Sequence, residues 1–140
     1  ILKRMSQLII NSVDLLRIKQ CLNQAKQSKT ISAVEATKLL HELTNAKVLK
    51  PEKIPGDVVT MNSIVEISFA GNTKHVTFQI VYPQQANVAE NKISIFSSIA
   101  TALIGYKVGD EIEWIVPAGP TKITIEKIHF QPESEGKYSM

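Results

Sequence analysis

Apolar side chains recur three and four apart along residues 13–46, then every second position from residue 65 onward, so the chain divides into a helical part and a strand-rich part. After a brief strand over Gln7-Leu8-Ile9-Ile10, Asn11 or Ser12 caps a first helix running to about Gln27. Its apolar positions are Val13, Leu16, Ile18, Leu22 and Ala25. Ser32-Ala33-Val34-Glu35 has the form of a capping box, in which the serine oxygen accepts from a first-turn amide while the glutamate reaches back. A second helix therefore starts there, buries Ala36, Leu39, Leu40, Leu43 and Ala46, and ends at Pro51. The short link Ser28-Lys29-Thr30-Ile31 predicts that the two pack as an antiparallel hairpin, with arms roughly 24 Å long at about 1.5 Å per residue.

Two prolines and a glycine in Lys50-Pro51-Glu52-Lys53-Ile54-Pro55-Gly56 break any helix, so residues 51–57 read as a linker between a helical hairpin (1–50) and a second domain (58–140). Beyond it, Val65, Ile67 and Phe69 alternate with polar neighbours. Val76, Phe78, Ile80 and Tyr82 do the same after the polar link Ala70-Gly71-Asn72-Thr73-Lys74, which predicts a hairpin of half-buried strands. Ile93 and Ile95 make a short strand, Ser97 or Ser98 caps a short helix through Ile104, and Gly105 supplies a left-handed stop. Two strands, Glu111 to Val116 and Thr121 to Phe130, flank the turn Pro117-Ala118-Gly119-Pro120. The apolar phase slips between Ile125 and Ile128, which predicts a bulge or bend. The polar tail after Pro132 reads as loose. The fold class expected is α+β, with a helical hairpin followed by an antiparallel sheet carrying one short helix.

Charge sharpens this division. Residues 1–55 carry ten Lys and Arg against four Asp and Glu, and residues 56–140 carry six against nine. The two parts therefore face different partners, or the first simply has a lysine-rich solvated face. No apolar run approaches the roughly 18 residues needed to span a bilayer, and Leu8-Ile9-Ile10 is too short for an export signal. One cysteine, Cys21, permits no internal disulfide, so a cytoplasmic location is expected.

Reaction chemistry is sparse. There is no phosphate-binding glycine loop and no Gly-x-Ser-x-Gly elbow. His41, His75 and His129 are expected to lie far apart on different elements, and one cysteine gives no zinc-type spacing, so neither a metal nor a cofactor is expected. Cys21 reads as a small helix-core residue rather than a nucleophile. Glu111 and Glu113 fall on one face of a strand, with Ile112 and Trp114 on the other, as a solvated sheet face requires. These features predict a binding protein without catalytic residues.

Ile93-Ser94-Ile95, the run Ser97-Ser98-Ile99-Ala100-Thr101-Ala102-Leu103-Ile104-Gly105, Val108-Gly109-Asp110 and Pro117-Ala118-Gly119 together resemble the carboxy-terminal domain of the bacterial Gre transcript-cleavage factors. Asp57-Val58-Val59-Thr60-Met61-Asn62-Ser63, Val81-Tyr82-Pro83 and Phe130-Gln131-Pro132-Glu133, with Ile9-Ile10-Asn11, Asp14 and Arg17, are most similar to the branch of that family named for regulating nucleoside diphosphate kinase. The resemblance implies an FKBP-like sheet domain and a partner, RNA polymerase. In that family the domain sits at the rim of the polymerase secondary channel while the hairpin enters it. The contact loop maps to Phe96, Ser97 and Ser98, with Ser98 standing where relatives carry proline. Cleavage-stimulating members carry acidic residues at the hairpin tip, because hard carboxylate oxygens hold a catalytic Mg²⁺ there. The tip here, with Lys26, Ser28, Lys29 and Thr30, has no acid and two lysines.

Taken together, the resemblance and the tip imply a non-enzymatic polymerase-binding regulator that stimulates no cleavage. The alternative is an interaction protein acting on nucleoside diphosphate kinase, directly or indirectly. An FKBP-like fold also raises prolyl isomerisation, but that chemistry wants an aromatic-walled pocket and aromatics are only 6% of the chain. The lysine-rich first part offers weak, nonspecific nucleic-acid binding at most, since no aromatic residues interleave the lysines to stack bases.

Overall fold

Ile9–Asn11 form a short strand, β1, and the chain then turns directly into helix α1, Ser12–Ser28. The turn is set by Asn11, whose Oδ1 accepts from the Val13 N–H at 2.8 Å. The structure, a computed structural model, describes residues 8–28, 33–71, 74–116 and 119–137. Helix α2, Ala33–Thr44, follows; its expected Ser32 cap lies outside the described residues. The buried stripe of α1 is Asp14, Ile18, Leu22 and Ala25, and Leu39 and Leu43 face it from α2 in one core cluster. Leu16, expected in the stripe, is instead 58% exposed, because a helical repeat rotates position 16 off the line through 14, 18, 22 and 25.

Helix α2 ends at Thr44, earlier than the expected stop at Pro51. Thr44 Oγ1 and Asn45 Nδ2 both donate to the His41 carbonyl, at 2.9 and 3.1 Å, and close the last turn. The chain then leaves as strand β2, Lys47–Leu49, which pairs in parallel with β1 and was not foreseen. A single 3-10 turn, Pro51–Lys53, follows with Pro51 and Ile54 buried.

Among the described residues the main sheet holds five strands, in the spatial order β5 (Lys92–Ser94), β4 (His75–Val81), β3 (Ile64–Phe69), β7 (Gly119–Phe130) and β6 (Glu111–Val116). Strands β3 (Ile64–Phe69) and β4 (His75–Val81) form the expected hairpin, with Val65 opposite Phe78 and Ile67 opposite Val76. Val76 is exposed, while Tyr82 lies buried just past the end of β4. Strand β5 (Lys92–Ser94) runs parallel to β4, the one parallel pair in an otherwise antiparallel sheet. Strands β6 (Glu111–Val116) and β7 (Gly119–Phe130) pair tightly across residues 117–118, which lie outside the described residues. Glu111 and Glu113 are exposed around buried Ile112, as the alternation requires. The phase slip in β7 is real: the register against β3 jumps past Glu126 and past His129, so both sit in bulges. The fold is thus α+β, with a mostly antiparallel sheet.

Helix α3, Ser98–Leu103, ends at Gly105, which takes φ +87°. Gly105 also joins three segments, since its N–H donates to the Val59 carbonyl at 2.9 Å and its carbonyl accepts from the Ile9 N–H at 3.1 Å. A Cβ there would meet the Ile9 carbonyl oxygen and Leu8 Cβ at 3.2 Å. Gly105→Ala is therefore expected to cost about 2 kcal/mol in urea unfolding from left-handed strain plus contact. Gly109→Ala, with φ +94° and nothing within 4 Å, should cost only the strain; equal losses in the two variants would refute the close packing at Gly105.

One hydrophobic cluster runs through the whole fold. Ile10, Ile18, Leu22, Leu39 and Leu43 from the first part join Met61, Val65, Ile67, Ile80, Leu103, Ile123 and Ile125 from the second.

Candidate functional site

Phe96, Ser97 and Ser98 lie together where β5 passes into α3. Ser97 is the helix cap: its Oγ accepts from the Ala100 N–H at 3.3 Å, with extended backbone angles. Ser98 opens the helix itself. The preceding turn is held by the Phe96 N–H donating to Ser94 Oγ at 3.0 Å and Thr101 Oγ1 donating to the Ile95 carbonyl at 2.9 Å. Ile95 is buried beneath it, and half-buried Phe96 packs against the core, so the loop is a fixed platform resting on the sheet.

Of the tip residues, Lys26 and Ser28 are exposed at the end of α1, and Ser28 Oγ donates to the Gln24 carbonyl at 2.9 Å. Lys29 and Thr30 lie outside the described residues.

Between these places, at the joint of helix α1 and the sheet, sits a buried polar network that sequence reasoning missed. Asp14 is 2% exposed, accepts from the Met61 N–H at 3.1 Å and from the Tyr82 hydroxyl at 3.2 Å, and lies near Glu133. Burial first, and then the negative charge of Glu133, push its carboxyl from an ordinary 3.8 up to about 7, against smaller opposing effects of its hydrogen bonds and of Arg17. The same burial, with Asp14 beside it, holds the Tyr82 phenol protonated well above its ordinary range.

The tail expected to be loose is tied down instead. Glu133 is buried, accepting from Asn11 Nδ2 at 2.6 Å and Thr60 Oγ1 at 2.8 Å. Gln131 Nε2 donates to the Pro55 and Val58 carbonyls at 2.8 and 2.7 Å. The physical reason is that residues 60–63 form a tight turn, with Asn62 at φ 69°, whose polar groups are sealed from water and must find partners. The tail supplies them.

His75 and His129, far apart in sequence, meet on the exposed sheet face. His75 Nδ1 bonds one Glu66 oxygen at 2.5 Å and His129 Nε2 the other at 2.8 Å. The β3–β4 pairing and the second bulge of β7 bring them there. The hydrogen bond to Glu66 raises the His75 value, and the two histidines lower that of Glu66. Among the described residues, no group of three or more His, Cys, Asp or Glu is arranged to hold a metal ion.

A groove of about 380 Å³ runs along the outer side of α1, lined by Arg17, Gln20, Cys21 and Gln24 on one wall and Tyr82, Gln84 and Gln85 on the other. Cys21 is half-buried at this edge and packs against the core from there, and burial raises its thiol against a lowering hydrogen bond from Gln84.

Residues 54–130 match the family model for the C-terminal domain of the transcription elongation factors GreA/GreB. Over 132 residues the chain is 33% identical to the regulator of nucleoside diphosphate kinase of Escherichia coli strain K12, covering 94% of this chain and 95% of that protein. It is 34% identical over 106 residues to the transcription elongation factor GreA of Mesorhizobium japonicum, covering 76% of this chain and 68% of that one. The solved structure of a GreA/GreB elongation factor from Nitrosomonas europaea superposes with a TM-score of 0.71 at 33% identity, over 90% of this chain and all of that chain.

Proposed function

The chain belongs to the GreA/GreB family of transcription elongation factors, and on that premise we propose that it is a non-enzymatic regulator that binds RNA polymerase at the secondary-channel rim without stimulating transcript cleavage. The observation that carries this reading is the composition of the last turn of α1 and the two residues that follow it. Lys26-Gln27-Ser28-Lys29-Thr30 offers two ammonium groups and no carboxylate. A catalytic Mg²⁺ needs hard anionic oxygen ligands, and cations placed beside it repel it. Helix α1, at 17 residues, reaches about 25 Å, and α2, at 12, reaches less. On this reading the two helices form a short hairpin on an FKBP-like domain, and Phe96, Ser97 and Ser98 form the polymerase contact. The cap on Ser97 supports that role, since it fixes the loop before any partner arrives.

A second reading comes from the printed name of the Escherichia coli relative. On that reading the chain acts on nucleoside diphosphate kinase directly or indirectly, the indirect route running through transcription.

Backtracked elongation complexes provide the test. Saturating protein is expected to release no shortened transcripts and to slow cleavage by an added GreA. Cleavage above the intrinsic rate would refute the tip argument.

A further inference from the structure

We propose that the groove between α1 and the segment after β4 binds a small phosphate-bearing ligand, seated across the joint between the helical part and the sheet. This goes beyond polymerase binding and does not depend on it. Arg17, Gln20, Cys21 and Gln24 are spaced three, one and three apart, which places them on one face of α1, rotated from the buried stripe at 14, 18, 22 and 25. The opposite wall is presented by Tyr82 and the 3-10 turn Pro83–Gln85. The volume, about 380 Å³, lies within the usual range for small-molecule sites.

The lining decides the ligand class. Among the described residues it consists of one guanidinium, four primary amides, a phenol and a thiol, with no carboxylate. Asp14 does not line the groove and is already engaged by the Met61 amide and the Tyr82 hydroxyl. The groove is therefore positive and rich in donors. A guanidinium carries five N–H donors in a fixed fork that matches phosphate oxygens, and Arg17 brings one to the groove wall. The amides of Gln20, Gln24, Gln84 and Gln85 add neutral donors to the same oxygens and accept from whatever polar group the phosphate carries. A ligand touching both walls clamps α1 to the sheet.

The test uses inorganic pyrophosphate as probe and the intact protein. Phosphorus NMR should show the pyrophosphate line broadened by the protein. At about ten times the dissociation constant, pyrophosphate should slow modification of Cys21 by a thiol reagent about tenfold, compared with sodium chloride at equal ionic strength. Gln24→Glu puts a carboxylate at an exposed position of the same wall, leaving the core untouched, and should abolish both effects; Arg17→Gln should do the same. A sharp pyrophosphate line with the unaltered protein, or broadening that survives in Gln24→Glu, overturns the proposal. Citrate competing as well as pyrophosphate would overturn the assignment to phosphate.

Discussion

Asp14→Asn is expected to make the protein more stable at pH 8 and to remove most of the pH dependence of its unfolding between pH 4 and 7. The Asp14 carboxyl stands at about 7 in the folded chain against an ordinary 3.8. A folded-state value above the unfolded one means that the native protein holds an extra proton between them. Stability is then full at the acid end of this window and falls as pH rises towards 7. A rise of this size corresponds to up to ~4 kcal/mol lost by pH 8. Asparagine is uncharged and nearly isosteric, and it keeps an oxygen for the Met61 N–H while meeting the Tyr82 hydroxyl with its other group. The groups that face this position are Arg17 on its own helix, Tyr82 after β4 and Glu133 in the tail. Urea unfolding across this pH range measures the effect. An unchanged slope in the variant, or a loss of stability at pH 8, would mean that Arg17 fully compensates an ionised Asp14.

Glu133→Ala should act in two directions that can be separated. Removing the carboxylate strands the Asn11 amide and the Thr60 hydroxyl in a site closed to water, at ~1–3 kcal/mol for each. The expected net loss at pH 5 is about 3 kcal/mol. The variant also removes a negative charge that raises Asp14, so the fall in stability with pH should level off at lower pH and be smaller in total. Glu133→Gln is the shape-preserving control and should restore part of the stability while keeping the altered pH profile. If Glu133→Ala unfolds at the same urea concentration as the unaltered chain, the tail is not anchored as described.

These two residues also mark where sequence reasoning stopped. Alternation made β3, β4 and β6 readable, since Val65 and Ile67, Phe78 and Ile80, and Ile112 are buried beside more exposed neighbours, and the slip between Ile125 and Ile128 identified the bulged stretch of β7. Gly105 was readable as a stop because a glycine followed a short apolar helical run. Strand β2 was not, since three residues show no period and its partner β1 lies 38 positions earlier, Ile9 against Lys47. Glu133 looked like a solvated charge in a polar tail. Its burial depends on Asn11 and Thr60, 122 and 73 positions away, and no local pattern encodes pairings at such separations. The meeting of His75 and His129 on Glu66 was hidden for the same reason. The platform Phe96–Ser98 was named from family resemblance; only the geometry shows that Ser97, of the two serines, makes the cap.

The central claim is that this member of the family engages RNA polymerase at the site used by cleavage factors. The most direct measurement titrates dye-labelled protein with bacterial core RNA polymerase by fluorescence anisotropy and then adds an unlabelled GreA. Binding that GreA displaces competitively is expected, together with a marked weakening when Phe96 and Ser97 are replaced by alanine in protein that still unfolds cooperatively. No binding at micromolar polymerase, or binding that GreA leaves untouched, would contradict it.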